Sequence, residues 1–135
     1  IRRKPVQIFG DGETSRDFCY VENAVQMYLL GALSENEAAL NEVYNVAVGD
    51  RTTLKELYAL LRELLGARYS WVSEQEPIYG EFRSGDVRHS QADIAKAVGL
   101  LGYVPSHRIR DGLERAPAWY VNDLAEGRAV CGPGN

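Results

Sequence analysis

Residues 6–33 read VQIFGDGETSRDFCYVENAVQMYLLGAL, and the changes of pattern within them set the fold class. Val6 to Phe9 is a β-branched and aromatic run closed by Gly10-Asp11-Gly12, which predicts a strand entering a turn. Phe18 to Val21 predicts a second short strand. From Glu22 the apolar residues Ala24, Val25, Tyr28, Leu29 and Ala32 recur at three- and four-residue spacing, the mark of one helix face that ends near Leu33. Strands and a helix following so closely predict a mixed α/β unit, α+β-like in its few short strands.

The pattern continues outward from this stretch. After a polar connection from Ser34 to Asn41, Glu42 to Val48 is apolar enough to predict a strand buried on both faces. Thr53 and Glu56 form a capping box that opens a helix. Leu54, Leu57, Tyr58, Leu61, Leu64 and Leu65 give that helix an apolar stripe, and Gly66 ends it. A short strand is expected from Tyr69 to Val72, then a long Pro- and Gly-rich loop from Glu74 to Val87. Ser90 and Asp93 suggest the cap of a helix from Ile94 to Leu101. A last helix is expected from Ile109 to Leu124, with Pro117 as a kink. Residues 1–124 thus form one expected domain, and residues 125–135 a flexible tail.

The chain has 135 residues, of which 15 are Lys or Arg and 19 are Asp or Glu, and 45% are hydrophobic. A chain of this size buries roughly two-thirds of its unfolded surface and needs no disulfide or metal staple. It is too short for a complete dinucleotide-binding domain together with a substrate domain. The net charge of −4 argues against nucleic acid, which calls for a basic face that Arg2, Arg3 and Lys4 are too few to make. No apolar run of membrane-spanning length and no signal-peptide core occurs, so a cytoplasmic protein with no membrane partner is expected. Cys19 and Cys131 are expected as free thiols, with a disulfide as the alternative. The start at Ile1 suggests part of something longer.

Two segments carry chemistry, Gly10 to Phe18 and Phe82 to Arg88. Each places an arginine, Arg16 or Arg83, beside a glycine turn, where a guanidinium can pair in forked fashion with phosphate oxygens. Together they could clamp a diphosphate, and Asp86 could accept from a ribose hydroxyl. The alternative is that Arg16 with Asp17, and Arg83 with Asp86, only fix their own loops. Gly10-x-Gly12 is no dinucleotide fingerprint, since the third glycine is absent and a strand follows. His89 and His107 have no ligand cluster at metal spacing, so no metal is expected. No nucleophile has a positioned base, so no catalytic residue is assigned. Tyr79 and Phe82 read as loop anchors, Trp119 and Tyr120 as core, and Arg51, Arg88 and His89 as solvated loop groups.

The run from Val6 through Asn23, Val43-Tyr44-Asn45-Val46-Ala47-Val48-Gly49, Arg83-x-Gly85-Asp86-Val87-Arg88, Gly112-Leu113 and Trp119-Tyr120 occur in series. In that order they resemble the C-terminal half of the extended short-chain dehydrogenase/reductases, within them the NAD-dependent nucleotide-sugar epimerases and dehydratases. The resemblance spans about Val6 to Val121 and implies a small domain that binds a nucleotide sugar. It further implies that Arg16 and Arg83 contact the diphosphate and Asp86 the ribose, that Asn45 lies near the substrate, and that Gln7 and Ile8 lie against the base. The glycine-rich NAD loop and the Tyr-x-x-x-Lys pair belong to the other half of that family. Neither occurs here; Tyr58 with Arg62 lacks the lysine and reads as structural. The expected partners are therefore UDP or a UDP-sugar and the missing Rossmann half, with self-association as the alternative. No cofactor is expected in this chain, although the complete enzyme would use NAD. Alone it should bind without turnover, and the choice among epimerase, dehydratase and decarboxylase stays open.

Overall fold

A computed structural model describes residues 4–125. The elements run β1 (Gln7–Phe9), β2 (Ser15–Arg16), α1 (Val21–Leu33), a 3-10 turn (Glu37–Ala39), β3 (Thr52–Thr53), α2 (Leu54–Gly66), α3 (Ser70–Ser73), β4 (Ile78–Gly80), α4 (Ala95–Leu101) and α5 (Ile109–Ala125). This is a small α/β fold whose strands form two short ladders. β1 pairs in parallel with β4, with Ile8 opposite Tyr79, and β2 pairs antiparallel with β3, with Arg16 opposite Thr52. A lone parallel bridge joins Ser15 to His89. Among the described residues no helix is long and apolar enough to cross a membrane.

The buried cluster lies between α1, the 3-10 turn and α4. Met27, Ala39, Ala97, Leu101 and Tyr103 form it, and Leu30, Tyr44, Ile94 and Leu100 pack against it. Tyr103 is wholly enclosed. Burial pushes its hydroxyl up to about 12, so it stays protonated and donates to the Ala47 carbonyl at 2.8 Å. Asn23 is the second fully enclosed side chain. Its Nδ2 donates to the His107 carbonyl at 2.7 Å, and its Oδ1 accepts from the amides of Ser106 and His107 at 3.0 and 3.1 Å. A buried amide so paired satisfies backbone groups of a loop that has no ladder of its own.

The capping box forms as the sequence predicts: Thr53 Oγ1 accepts from the Glu56 amide, and the Glu56 carboxylate accepts from the Thr53 amide. β1, α1, α2 and α5 also fall where expected, and Pro117 lies within α5. At the start of α4, Asp93 accepts from the Ala95 amide, whereas Ser90 plays no capping part.

Several expectations are corrected. Phe18 to Tyr20 form no strand; the strand falls earlier, at Ser15 and Arg16, where β3 supplies its partner. Glu42 to Val48 is irregular, with Val43 85% exposed, because no strand lies beside it among the described residues. Tyr69 to Val72 gives way to the helical turn α3, with the Val72 amide donating to the Tyr69 carbonyl. The loop from Glu74 to Val87 contains β4, held by distant β1. Helix α1 turns its periodic face outward: Val25, Tyr28 and Leu29 are 50, 80 and 56% exposed. Trp119 and Tyr120 are exposed and meet edge to face at 4.9 Å, so they are not core. Cys19 is an exposed free thiol, while Cys131 and the tail after Ala125 lie outside the described residues, as do Arg2 and Arg3.

Candidate functional site

β1 and the first two turns of α2 face each other across a cleft. Its volume is about 300 Å³, and its lining is Val6, Gln7, Ile8, Phe9, Leu54, Leu57, Tyr58, Leu61, Arg83 and Asp86. The leucine stripe of α2 is half-buried along this cleft rather than enclosed in the core. The site thus has one apolar wall, one strand wall, and a charged rim supplied by the loop after β4.

The two arginine loops are stitched together at the rim. The Ser15 amide donates to the Arg88 carbonyl at 2.9 Å, and the Ser90 amide to the Ser15 carbonyl at 3.1 Å. The buried Ser15 hydroxyl and His89 Nδ1 lie 2.9 Å apart in a hydrogen bond. Arg88 pairs with Asp11 at 2.5 Å. The Arg88 guanidinium, then the Glu13 amide, holds the Asp11 carboxyl below the ordinary carboxylate range, so this pair is fully formed at neutral pH. Gly10 makes the turn possible. Its φ is +76°, and a Cβ there would stand 2.4 Å from the Phe82 ring.

Arg16 and Asp86 meet across these loops at 2.5 Å. Nη1 of Arg16 also donates to the carbonyl of Ser15 at 2.9 Å and reaches that of Arg88 at 3.5 Å. The guanidinium of Arg83 sits over the Phe9 ring, 4.0 Å from its centroid, a cation–π contact that presents the charge to the cleft. Neither arginine makes the local pair weighed from the sequence. Asp17, next to Arg16, instead accepts from the amides of Val48, Gly49 and Ala92 at 3.0, 3.0 and 3.3 Å.

Of the six sequence candidates, Gln7, Ile8, Arg83 and Asp86 line one cleft and Arg16 joins them through Asp86. Asn45 stands apart: its amide donates to the Asp93 carbonyl at 3.0 Å, and it does not line the cleft. Phe9 and the Arg88–Asp11 and Ser15–His89 pairs carry no spacing signal, because their partners are far away in the chain. Tyr58 and Arg62 donate to the carbonyls of Gln75 and Ser73 at 2.9 and 3.0 Å, and Tyr58 also lines the cleft. A wider, open groove of about 630 Å³ lies between α2, α3 and β4. None of the six candidates lines it, and its Arg62 is already paired with Glu76 at 2.7 Å.

The Gly10–Gly12 turn lacks the strand–turn–helix layout of a dinucleotide loop. Gly10 and Gly12 lead β1 into β2 and not directly onto a helix; the N-terminus of α2 meets this turn, but its Leu54 and Lys55 amides are taken by the carbonyls of Thr14 and Gly12 at 3.0 and 3.1 Å and so are not offered to a pyrophosphate.

Comparison with known proteins accords with this geometry. Residues 1–47 match the family model described as the NAD dependent epimerase/dehydratase family. A putative UDP-glucose 4-epimerase of Methanocaldococcus jannaschii is 34% identical over 116 residues, which cover 86% of this chain and 34% of that protein. The crystal structure of a UDP-glucose 4-epimerase from Thermotoga maritima with UDP-glucose aligns with a TM-score of 0.77 at 36% identity, over 90% of this chain and 36% of that one. A UDP-glucuronic acid 4-epimerase from Bacillus cereus, in complex with UDP-glucuronic acid and NAD, aligns at 0.70 and 28% identity, over 90% and 36%. The chain belongs to the NAD-dependent epimerase/dehydratase family of nucleotide-sugar enzymes, within the extended short-chain dehydrogenase/reductases. It spans about a third of the length of the curated relatives it matches, 34% of the Methanocaldococcus protein.

Proposed function

We propose that this chain is the UDP-sugar-binding part of an NAD-dependent nucleotide-sugar 4-epimerase. Arg16 and Arg83 hold the diphosphate, Asp86 the ribose, and the β1 edge at Gln7 and Ile8 the base. Asn45 is the weakest member of the set, since its amide is committed to Asp93. The observation that carries this reading is convergence: residues from two segments far apart in the chain, 7–16 and 83–86, meet at one cleft with an apolar wall. That division of labour suits an aromatic base and an anionic diphosphate. The related Thermotoga and Bacillus enzymes, solved with UDP-sugars, support it. On this reading residues 1–124 are one binding domain, acting in the cytoplasm. NAD and the groups that move protons and hydride belong to the rest of the enzyme, so the chain alone binds without turnover. Amide NMR spectra recorded with UDP are expected to shift residues of β1, β2 and the loop 83–88. Shifts confined to α4 and α5 would oppose the assignment.

A second reading, an interaction or self-association module, is favoured by one observation. Val25, Tyr28, Leu29 and Leu33 on α1, with Val43 beside the core, are all at least half exposed. An apolar face of this kind is usually covered. In the first reading its cover is the NAD-binding half; in the second it is another copy. Sedimentation of the chain separates them, because a monomer throughout the micromolar range would exclude the second.

A further inference from the structure

Four cationic side chains stand around the cleft and its rim, and their partners differ in a way that bears on ligand choice. Arg88 is paired with Asp11, Lys55 with Glu13 and Arg16 with Asp86, at 2.5, 2.6 and 2.5 Å. Arg83 has no carboxylate partner among the described residues and rests on Phe9. Of the three pairs, only Arg16–Asp86 includes a carboxylate that lines the cleft.

We propose that Arg16–Asp86 is an exchangeable latch that makes this site select a nucleoside diphosphate over a bare diphosphate. The inference rests on the reading of the cleft as a nucleotide-sugar site. Arg16 is anchored through Nη1, which holds backbone carbonyls, while Nη2 alone reaches Asp86. Nη2 can therefore change partners without freeing the side chain. A phosphate that recruits Nη2 leaves the Asp86 carboxylate in the cleft with no donor and with a like charge arriving beside it. The Asp86 side chain is 42% exposed, so water screens part of this repulsion and the remainder opposes the phosphate. Inorganic pyrophosphate brings no donor to offset this. A nucleoside diphosphate brings a ribose diol, whose two hydroxyls donate to the carboxylate as the guanidinium turns away. One charge-assisted contact is exchanged for several, and diphosphate and ribose recognition become a single coupled event.

The test uses the whole chain and three titrants by calorimetry: UDP, UMP and inorganic pyrophosphate. The wild type is expected to bind UDP more tightly than pyrophosphate. In Asp86→Ala, pyrophosphate affinity is expected to rise by about tenfold, because Arg16 is released and the repelling carboxylate is gone, a change of order 1.4 kcal/mol. UDP and UMP gain nothing in that variant, since both lose the ribose acceptor. Asp86→Asn, which removes the charge at constant size, is expected to move pyrophosphate in the same direction. Pyrophosphate affinity unchanged or lowered in both variants, with UDP still bound by the wild type, would overturn the latch alone. Absence of UDP binding to the wild type would overturn the latch together with the reading beneath it.

Discussion

Arg83→Ala is expected to weaken UDP binding by between about ten- and a hundredfold, the equivalent of one hydrogen bond to a charged group at roughly 1.5 to 3 kcal/mol. The expectation follows from what Arg83 does in the free protein. Its guanidinium touches the Phe9 ring and no carboxylate among the described residues, so no ion pair must be broken before it meets a phosphate. Arg16 differs: it begins paired with Asp86, so Arg16→Ala removes a phosphate ligand but also frees a carboxylate beside the cleft. The Arg16 loss is expected to be the smaller of the two, because Arg16 gives up its Asp86 pair to meet a phosphate and the ribose then takes that carboxylate. Arg83→Lys should recover only part of the binding, because a compact ammonium keeps the charge and loses the fork. An Arg83→Ala protein that binds UDP as tightly as the wild type would remove Arg83 from the site.

Asn23→Ala is expected to cost about 3 to 5 kcal/mol of folding stability, at 1 to 3 kcal/mol for each buried group left without a partner. Asn23 is 0% exposed, and the carbonyl of His107 and the amides of Ser106 and His107 all depend on its side chain. These bonds tie α1 to the segment that leads into α5, and no strand ladder duplicates them. Domains of this kind are stable by only about 5 to 15 kcal/mol, so the variant should unfold at a much lower urea concentration. A loss below about 1 kcal/mol in urea denaturation would mean that water replaces the amide.

Asn23 also shows where the sequence was hard to read. The spacing of Ala24, Val25, Tyr28, Leu29 and Ala32 correctly indicates a helix, but periodicity cannot say which face meets the core. The core takes the side of Asn23 and Met27, because a polar residue with all its bonds made can be enclosed. The segment 42–48 has the composition of a strand and lacks a neighbouring strand among the described residues, and a strand is a property of a pair. β4 was missed for the opposite reason: Ile78 to Gly80 lies in a Pro- and Gly-rich stretch, and only its pairing with distant β1 makes it a strand. Local signals did better. The capping box of α2 depends on residues three apart and appears as expected.

The site followed the same division. The residue types Arg16, Arg83 and Asp86 were legible beside their glycine turns, and the structure brings them to one rim. Their pairing was not legible, because Arg16 meets Asp86 across 70 positions and Arg88 meets Asp11 across 77. Asn45 stood in the right motif, yet its amide turns to the Asp93 carbonyl.

Calorimetric titration of UDP into the chain most directly tests the claim that this is the UDP-sugar-binding part of a nucleotide-sugar epimerase. Saturable binding of one UDP per chain, abolished or strongly weakened when Arg16 and Arg83 are both replaced by Ala, is the predicted result. No saturable UDP binding to a folded wild-type chain, or binding indifferent to both arginines, would contradict it.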